Sequence, residues 1–227
     1  MNIKGILFDC DGVLLDSEAI YINSLIDYLS TLDIKTDLKD VVDVLGKKMP
    51  CIIKTLRSKF PLQNYTDEEL ITGQRKIFNQ RFNQINLQPM PYLIEFLKWC
   101  KLKKIKTVIV SSSNMNYLKN TINRLNICEY FDEIFSGDMV QNSKPAPDIY
   151  LYAAKKLNIP REQLLIIEDS INGIKAGKKS EIFTVGYKGS VIEQDTGEAD
   201  LEVRSFEDIK HFLESGISQK NYVNSLV

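Results

Sequence analysis

The sequence predicts a doubly wound α/β fold with an inserted all-helical block, and three observations support this prediction. Short apolar runs bounded by polar segments recur along the chain. Segments of helical length separate these runs, as in β-α-β-α repeats. Residues 17–86 interrupt the alternation with helical periodicity and no apparent strand. We therefore expect a core built on a parallel sheet and a separate helical domain.

The apolar runs are typical of strands that are buried on both faces of a parallel sheet. They cover residues 3–8, 105–110, 164–167 and 182–185, and a weaker strand is expected at 201–203. The helices predicted between and after these strands cover residues 92–103, 115–125, 149–157, 171–179 and 206–214.

The inserted block begins at Ser17, which we predict to cap a helix whose apolar side carries Ile22, Leu25 and Leu29. Further helices are predicted over residues 38–45, 52–60 and 67–82. The predicted domains are therefore a catalytic core of residues 1–16 and 87–227 and a helical cap domain of residues 17–86.

The charge balance and the cysteine pattern argue against several kinds of binding partner and site. The 227 residues carry 29 Lys and Arg against 30 Asp and Glu, so the net charge of -1 provides no general attraction for nucleic acid or anionic membranes. The 4 cysteines form no C-x-x-C pair, which argues against a zinc site and a disulfide framework. The first residues show no secretory signal pattern and no assembly motif is evident, so we expect a cytoplasmic monomer.

Polar residues follow several predicted strands at their carboxyl ends, where open α/β sheets bind ligands. Each of them alone is explained equally well as a turn residue, a helix cap or a solvated charge. Together, carboxylates, hydroxyls and a lysine at one sheet edge are the groups that metal-assisted phosphoryl transfer needs. The candidates are Asp9, Asp11, Ser111, Ser112, Lys144, Glu168 and Asp169.

Four segments resemble, in order and spacing, the motifs of the haloacid-dehalogenase superfamily. They cover residues 9–18 (DCDGVLLDSE), 108–111 (VIVS), 143–145 (SKP) and 167–170 (IEDS), the last followed by Gly173 and Gly177. Within this superfamily the chain resembles the β-phosphoglucomutase-like subfamily. The resemblance implies a Rossmann-like core with a helical C1 cap inserted after the first strand. It also implies a Mg²⁺-dependent phosphatase that acts on a small phosphorylated metabolite, expected to be a sugar phosphate.

The resemblance also implies roles for the acidic residues. Asp9 would be the nucleophile that forms an aspartyl-phosphate. Asp11 would protonate the leaving oxygen and then activate water. Mg²⁺ would be held by Asp9, the backbone carbonyl of Asp11 and Asp169. Glu168 would either contact the metal directly or support its ligands, and the sequence leaves both roles open.

Phosphate binding is assigned on the same basis. Ser111 and the neighbouring Ser112 would hold phosphoryl oxygens, and Lys144 would neutralise charge between the phosphoryl group and Asp9. In the cap, Gly46, Lys47 and Lys48 form either a solvated loop or a cationic contact to the substrate.

Three other functions remain as alternatives. A dehalogenase needs neither Asp11 nor a cation, so the acidic residues argue against this function. A phosphoacceptor signalling or binding protein needs no cap, so the inserted helical block argues against that one. A β-phosphoglucomutase-type phosphotransferase is the nearest alternative. That mutase has a histidine and a phosphate-binding arginine where this chain has Tyr21 and Met49, and these departures favour the phosphatase.

Overall fold

The computed structural model describes residues 2–45 and 49–215, and a single six-stranded sheet organises the larger part of that region. The strands are β1 (Gly5–Phe8), β2 (Lys106–Ser111), β3 (Glu133–Ser136), β4 (Leu164–Glu168), β5 (Phe183–Tyr187) and β6 (Leu201–Val203). Their order is β3-β2-β1-β4-β5-β6 and all neighbouring pairs are parallel. The predicted fold class is confirmed.

The first strand lies where the strand order reverses. β1 pairs with β2 on one side and with β4 on the other, and Phe8 is in register with both Ile109 and Ile167. All residues of β1 and β4 are buried, which explains why both are apolar apart from Glu168 at the end of β4. The residues that follow these three strands therefore emerge side by side at the switch point, where α/β sheets bind ligands.

Five helices accompany the sheet in the described part of the chain. They are α5 (Leu93–Leu102), α6 (Met115–Arg124), α7 (Asp148–Leu157), α8 (Ile171–Lys179) and α9 (Phe206–Ser215), numbered after four helices of the inserted block. Two of them, α6 and α8, follow β2 and β4 after short loops. The Asn114 side chain caps α6, and the Ser170 side chain caps α8, each by accepting a backbone N–H.

Strand β3 was missed by the sequence prediction, which placed no strand between residues 110 and 164. β3 has only four residues and lies at the edge of the sheet, with Glu133 exposed and Phe135 buried. Such a short segment shows neither a long apolar run nor a clear alternation. Its pairing with β2, which aligns Ser136 with Ser111, is a tertiary effect.

Residues 17–87 form a second compact unit, distinct from the unit made of residues 1–16 and 88–227. Its helices are α1 (Ser17–Thr31), α2 (Leu38–Val41), α3 (Met49–Lys59) and α4 (Asp67–Gln84). α1 packs mainly against α4, and a capping box between Thr66 and Glu69 starts α4. The role of this unit as a cap stays a prediction.

Two details of the helical unit differ from the sequence prediction. Ser17 is the first residue of α1, whereas we predicted that it precedes the helix as its cap. The helix predicted over residues 38–45 is a four-residue α-helix followed by a 3₁₀ turn at Val42–Val44. Two consecutive valines and a further valine at position 44 disfavour a continuous α-helix, because β-branched side chains lose rotamer freedom there.

The chain leaves and re-enters the sheet-containing unit at neighbouring points. The backbone N–H of Met90 donates to the carbonyl of Leu14 at 2.9 Å, which joins the segment before the insertion to the segment after it. Among the described residues, none of the helices is long and apolar enough to cross a membrane.

Candidate active site

Asp9 is the first residue after the central strand β1. Its backbone N–H donates to the carbonyl of Ile167 at 3.0 Å, so the parallel pairing with β4 continues one residue beyond β1. Only 8% of Asp9 is exposed, which leaves its carboxylate at the end of the sheet with little contact to solvent. The backbone is thus held rigidly at the residue predicted to be the nucleophile.

Lys144 connects two buried carboxylates beside this strand end. Its Nζ donates to Asp9 Oδ1 at 2.5 Å, to Glu168 Oε1 at 2.6 Å and to the carbonyl of Val110 at 3.1 Å. These three acceptors use the full donor capacity of an ammonium group. The side chain of Lys144 is 6% exposed, so the charges interact with little screening.

Burial and the neighbouring charges shift the pKa values of both Asp9 and Lys144. Burial raises the pKa of the Asp9 carboxyl to about 7 against the opposing attraction of Lys144, and the charge of Glu168 adds to the rise. Burial lowers the pKa of the Lys144 ammonium, but Asp9 and Glu168 more than offset this and hold it well above its ordinary value. One lysine therefore does not compensate all the negative charge.

One carboxylate oxygen from each of Asp9, Glu168 and Asp169 lies within 4.8 Å of the other two, and all three residues are buried. A set of hard oxygen donors with excess negative charge suits Mg²⁺ rather than softer metals. The residues present thus fit the cation that the sequence predicts.

Glu168 has both of its carboxylate oxygens engaged by protein donors. Oε1 accepts from Lys144 Nζ and from the Tyr150 hydroxyl at 2.7 Å. Oε2 accepts from the Ser170 hydroxyl at 3.1 Å and from the Ser170 backbone N–H at 3.3 Å. Because Glu168 is entirely buried, these contacts fix its position and, through it, the position of Lys144.

Two glycines allow the acidic side chains to approach the backbone. A Cβ on Gly12 would lie 1.8 Å from Asp169 Oδ2, and the φ of Gly12 is +75°, a conformation that favours glycine. A Cβ on Gly173, in the first turn of α8, would lie 1.9 Å from the Glu168 carboxyl group. The sequence motifs contain both glycines, but their contacts with the acids emerge only from the structure.

Asp11 is held by two hydroxyl groups from the segment that follows β2. The Tyr117 hydroxyl donates to Oδ1 at 2.6 Å, and the Ser113 hydroxyl donates to Oδ2 at 3.1 Å. Neither Ser113 nor Tyr117 was among the predicted site residues. Tyr117 occupies an ordinary position in the first turn of α6, so no pattern in the sequence connects it with Asp11, 106 positions away.

The serines predicted to bind phosphate follow the neighbouring strand. Ser111 ends β2 and is 2% exposed, and its Oγ accepts from the backbone N–H of Ser113 at 3.2 Å. Ser112 is exposed, and a Cβ on Gly137 would lie 2.3 Å from its carbonyl oxygen, so the loop after β3 closes tightly against it.

The structure therefore brings the predicted core residues to the carboxyl edge of β1, β2 and β4, where Lys144 joins them from the loop before α7. The cap residues are a different case. Gly46, Lys47 and Lys48, predicted as candidate substrate contacts, lie outside the described residues, so that assignment stays a prediction.

Known proteins are similar to this chain over most of its length. Residues 6–187 match the family model for haloacid dehalogenase-like hydrolases. The chain is 30% identical over 154 residues to a phosphorylated carbohydrates phosphatase of Thermotoga maritima, an alignment that covers 68% of each protein. It is 26% identical over 232 residues to a phosphoglycolate phosphatase of Salmonella typhi, which covers 92% of this chain and 91% of that protein. A crystal structure of β-phosphoglucomutase from Clostridium difficile superposes with a TM-score of 0.69 at 25% identity and 99% coverage of both chains.

Proposed function

The chain belongs to the haloacid dehalogenase-like hydrolases, and we propose that it is a Mg²⁺-dependent phosphatase with Asp9 as its nucleophile. Its substrate would be a small phosphorylated metabolite, with a sugar phosphate as the first expectation because one relative is a phosphorylated carbohydrates phosphatase. The observation that carries the proposal is the buried Lys144 ammonium shared by Asp9 and Glu168, with Asp169 beside them.

In the first step, an oxygen of the Asp9 carboxylate forms a bond to phosphorus. The bond from phosphorus to the ester oxygen breaks, and its electron pair goes to that oxygen, which takes a proton from the Asp11 carboxyl group. The alcohol leaves and an aspartyl-phosphate remains. Asp9 suits this role because its backbone is fixed between two strands and its carboxylate is held by Lys144.

In the second step, a water oxygen attacks the phosphorus of the aspartyl-phosphate. Asp11, now a carboxylate, takes a proton from this water, and the bond between phosphorus and Asp9 breaks with its electron pair returning to the Asp9 carboxylate. Inorganic phosphate is released, and both aspartates regain their starting states. The net reaction consumes one ester and one water for each phosphate and alcohol formed.

The remaining residues bind and orient. Lys144 would neutralise phosphoryl charge next to Asp9, and Ser111 with the backbone N–H groups after β2 would hold phosphoryl oxygens. Asp9, Asp169 and the backbone carbonyl of Asp11 would hold Mg²⁺, which when bound supplies positive charge that lets the phosphate dianion approach the carboxylates.

We assign Glu168 to the support of Lys144 rather than to direct metal binding. Four protein hydrogen bonds already reach its two oxygens, and a direct metal contact would have to displace at least part of this set. A carboxylate that holds the lysine in place also keeps the ammonium directed at Asp9.

A β-phosphoglucomutase-type transfer is the second candidate, because of the similarity to the Clostridium difficile enzyme. Tyr21 and Met49, which differ from the mutase pattern, both line a small apolar cavity inside the helical unit. The Tyr21 hydroxyl is buried and makes no hydrogen bond among the described residues. Tyr21 and Met49 therefore do not replace the histidine and the phosphate-binding arginine of the mutase. Their positions favour hydrolysis over phosphoryl transfer.

The test measures inorganic phosphate released from a panel of sugar phosphates, phosphoglycolate, nucleotides and p-nitrophenyl phosphate in the presence of Mg²⁺. We expect turnover of at least one alkyl phosphate, and none by Asp9→Asn, which keeps the shape of the side chain but removes the nucleophile. A variant that folds normally and keeps more than a trace of activity would show that the assigned chemistry is wrong.

The same protein is then given β-glucose 1-phosphate with a trace of the bisphosphate, and both glucose 6-phosphate and free phosphate are followed. Hydrolysis predicts that free phosphate dominates. Rapid formation of glucose 6-phosphate with little free phosphate would replace the phosphatase by the mutase.

A further inference from the structure

The Asp11 carboxylate is held at both oxygens by hydroxyl groups of the segment after β2. Tyr117 donates to Oδ1 at 2.6 Å and Ser113 donates to Oδ2 at 3.1 Å. We infer that Tyr117 is a positioning residue that fixes the Asp11 carboxyl group for proton transfer to and from the substrate. This inference rests on the acid and base role proposed above for Asp11.

An aspartate at a loop position needs such a restraint. Asp11 follows β1 by three positions and is partly exposed, so the sheet does not restrict its side-chain torsions. Proton transfer is efficient only when donor and acceptor are within hydrogen-bond reach, and a displacement of about 1 Å costs on the order of 100-fold in rate. The phenol of Tyr117 is a suitable anchor because its ring is rigid and belongs to α6.

The hydroxyl groups of Tyr117 and Ser113 differ in how firmly each holds its oxygen of Asp11. A tyrosine hydroxyl, with an ordinary pKa of about 10, remains a donor at neutral pH, so it can hold Oδ1 whether Asp11 is charged or neutral. The Ser113 hydroxyl rotates freely between donating and accepting, and its contact with Oδ2 is longer. Oδ2 is therefore the oxygen that gives its proton to the leaving oxygen and later takes one from water, while Oδ1 stays bound to Tyr117.

A single substitution can distinguish the positioning role of the Tyr117 hydroxyl from the packing role of its ring. Tyr117→Phe removes one hydroxyl oxygen and leaves the aromatic ring in place, so the packing of α6 is retained. The lost hydrogen bond frees Asp11 to rotate. A defect limited to the proton-transfer step must then depend on how much the leaving group needs a proton.

The experiment compares kcat/KM of Tyr117→Phe and the wild type on two substrates. One is p-nitrophenyl phosphate, whose nitrophenolate leaves without protonation, and the other is the best alkyl phosphate of the panel. Since kcat/KM reports the steps up to formation of the aspartyl-phosphate, we expect the ratio of alkyl to aryl kcat/KM to fall by about tenfold. Loss of a merely structural contact would lower both values together.

Two further variants make the outcomes distinguishable. Tyr152→Phe makes the same change on α7, where the ring packs against Phe135, and should leave the ratio unchanged. Asp11→Asn should lower the ratio more than Tyr117→Phe does. If Asp11→Asn lowers the ratio and Tyr117→Phe leaves it unchanged or raises it, the inference is overturned while the proposed function stands. If Asp11→Asn itself leaves the ratio and both activities intact, the role proposed for Asp11 fails.

Discussion

At the scale of single residues, Lys144 is the cation that two buried carboxylates share. Three carboxylates meet in this cluster, so removal of the ammonium and removal of a carboxylate have opposite consequences for its charge. A buried charge that loses its partner is costly, whereas relief of excess like charge is not. The effect on the free energy of unfolding can therefore be assigned a sign.

We expect Lys144→Met to lower the free energy of unfolding by about 3–5 kcal/mol, because it leaves Asp9 and Glu168 buried without their counter-charge. Asp9→Asn is the matched control, since it keeps the contact between Lys144 and Glu168 and removes one negative charge. That variant should unfold at the wild-type denaturant concentration or higher. Urea denaturation in chelator provides the measurement, and equal losses in both variants would contradict this account.

The residues of the site differ in how far the sequence predicts them. Asp9, Ser111 and Glu168 each end or directly follow an apolar run, so the rule that ligands bind at strand ends brings them together without coordinates. Tyr117, by contrast, reaches Asp11 only because α6 packs beside the loop after β1. A contact across 106 positions leaves no periodic pattern in one sequence.

At the scale of elements, the start of α8 supports the site through its backbone. The Ser170 side chain accepts the N–H of Gly173 to cap the helix, and the same serine donates to Glu168. The absence of a side chain at Gly173 lets the Glu168 carboxyl group lie against this first turn. One helix end thus positions the acid that holds Lys144.

We predict that Gly173→Ala destabilises the protein and reduces phosphatase activity by at least tenfold. Alanine favours a helix interior by about 0.5–1 kcal/mol over glycine, but the clash with a buried carboxylate should exceed this, since overpacking costs about 1–3 kcal/mol. Gly197→Ala, in an exposed loop, serves as the control and should alter neither property. Thermal melts and phosphate release test the pair, and an active, stabilised Gly173→Ala would refute the argument.

Elements of the fold were predicted in proportion to their burial. β1 and β4 are fully buried and stand out as apolar runs, whereas β3 has four residues at a sheet edge and was missed. Similarly, the helices of the inserted unit were recognised from their apolar faces, but the end of α2 was misjudged at a valine-rich segment. Local propensity decides such ends, and it is weaker than the periodic signal.

At the scale of the whole molecule, the excess negative charge at the sheet edge predicts that folding and Mg²⁺ binding are coupled. A ligand that binds only the folded state adds about 2.7 kcal/mol at a concentration 100 times its dissociation constant. We expect millimolar MgCl₂ to raise the melting temperature and chelator to abolish phosphate release.

NaCl at the same ionic strength controls for screening and should shift the melting temperature far less. Asp169→Asn should lose most of the shift produced by MgCl₂, since Asp169 is one of the three clustered carboxylates. Full activity in excess chelator would exclude the proposed cation chemistry.

The hydrogen bond between Met90 and Leu14 has a consequence for how this molecule could have diversified. This bond holds the segment before the insertion next to the segment after it. The two ends of the inserted segment therefore stay close together whatever the length of the chain between them. Doubling the length of a flexible loop costs only about 0.6 kcal/mol in closure entropy. A change of sequence or length within residues 17–87 therefore need not disturb the pairing of β1 with β2 and β4.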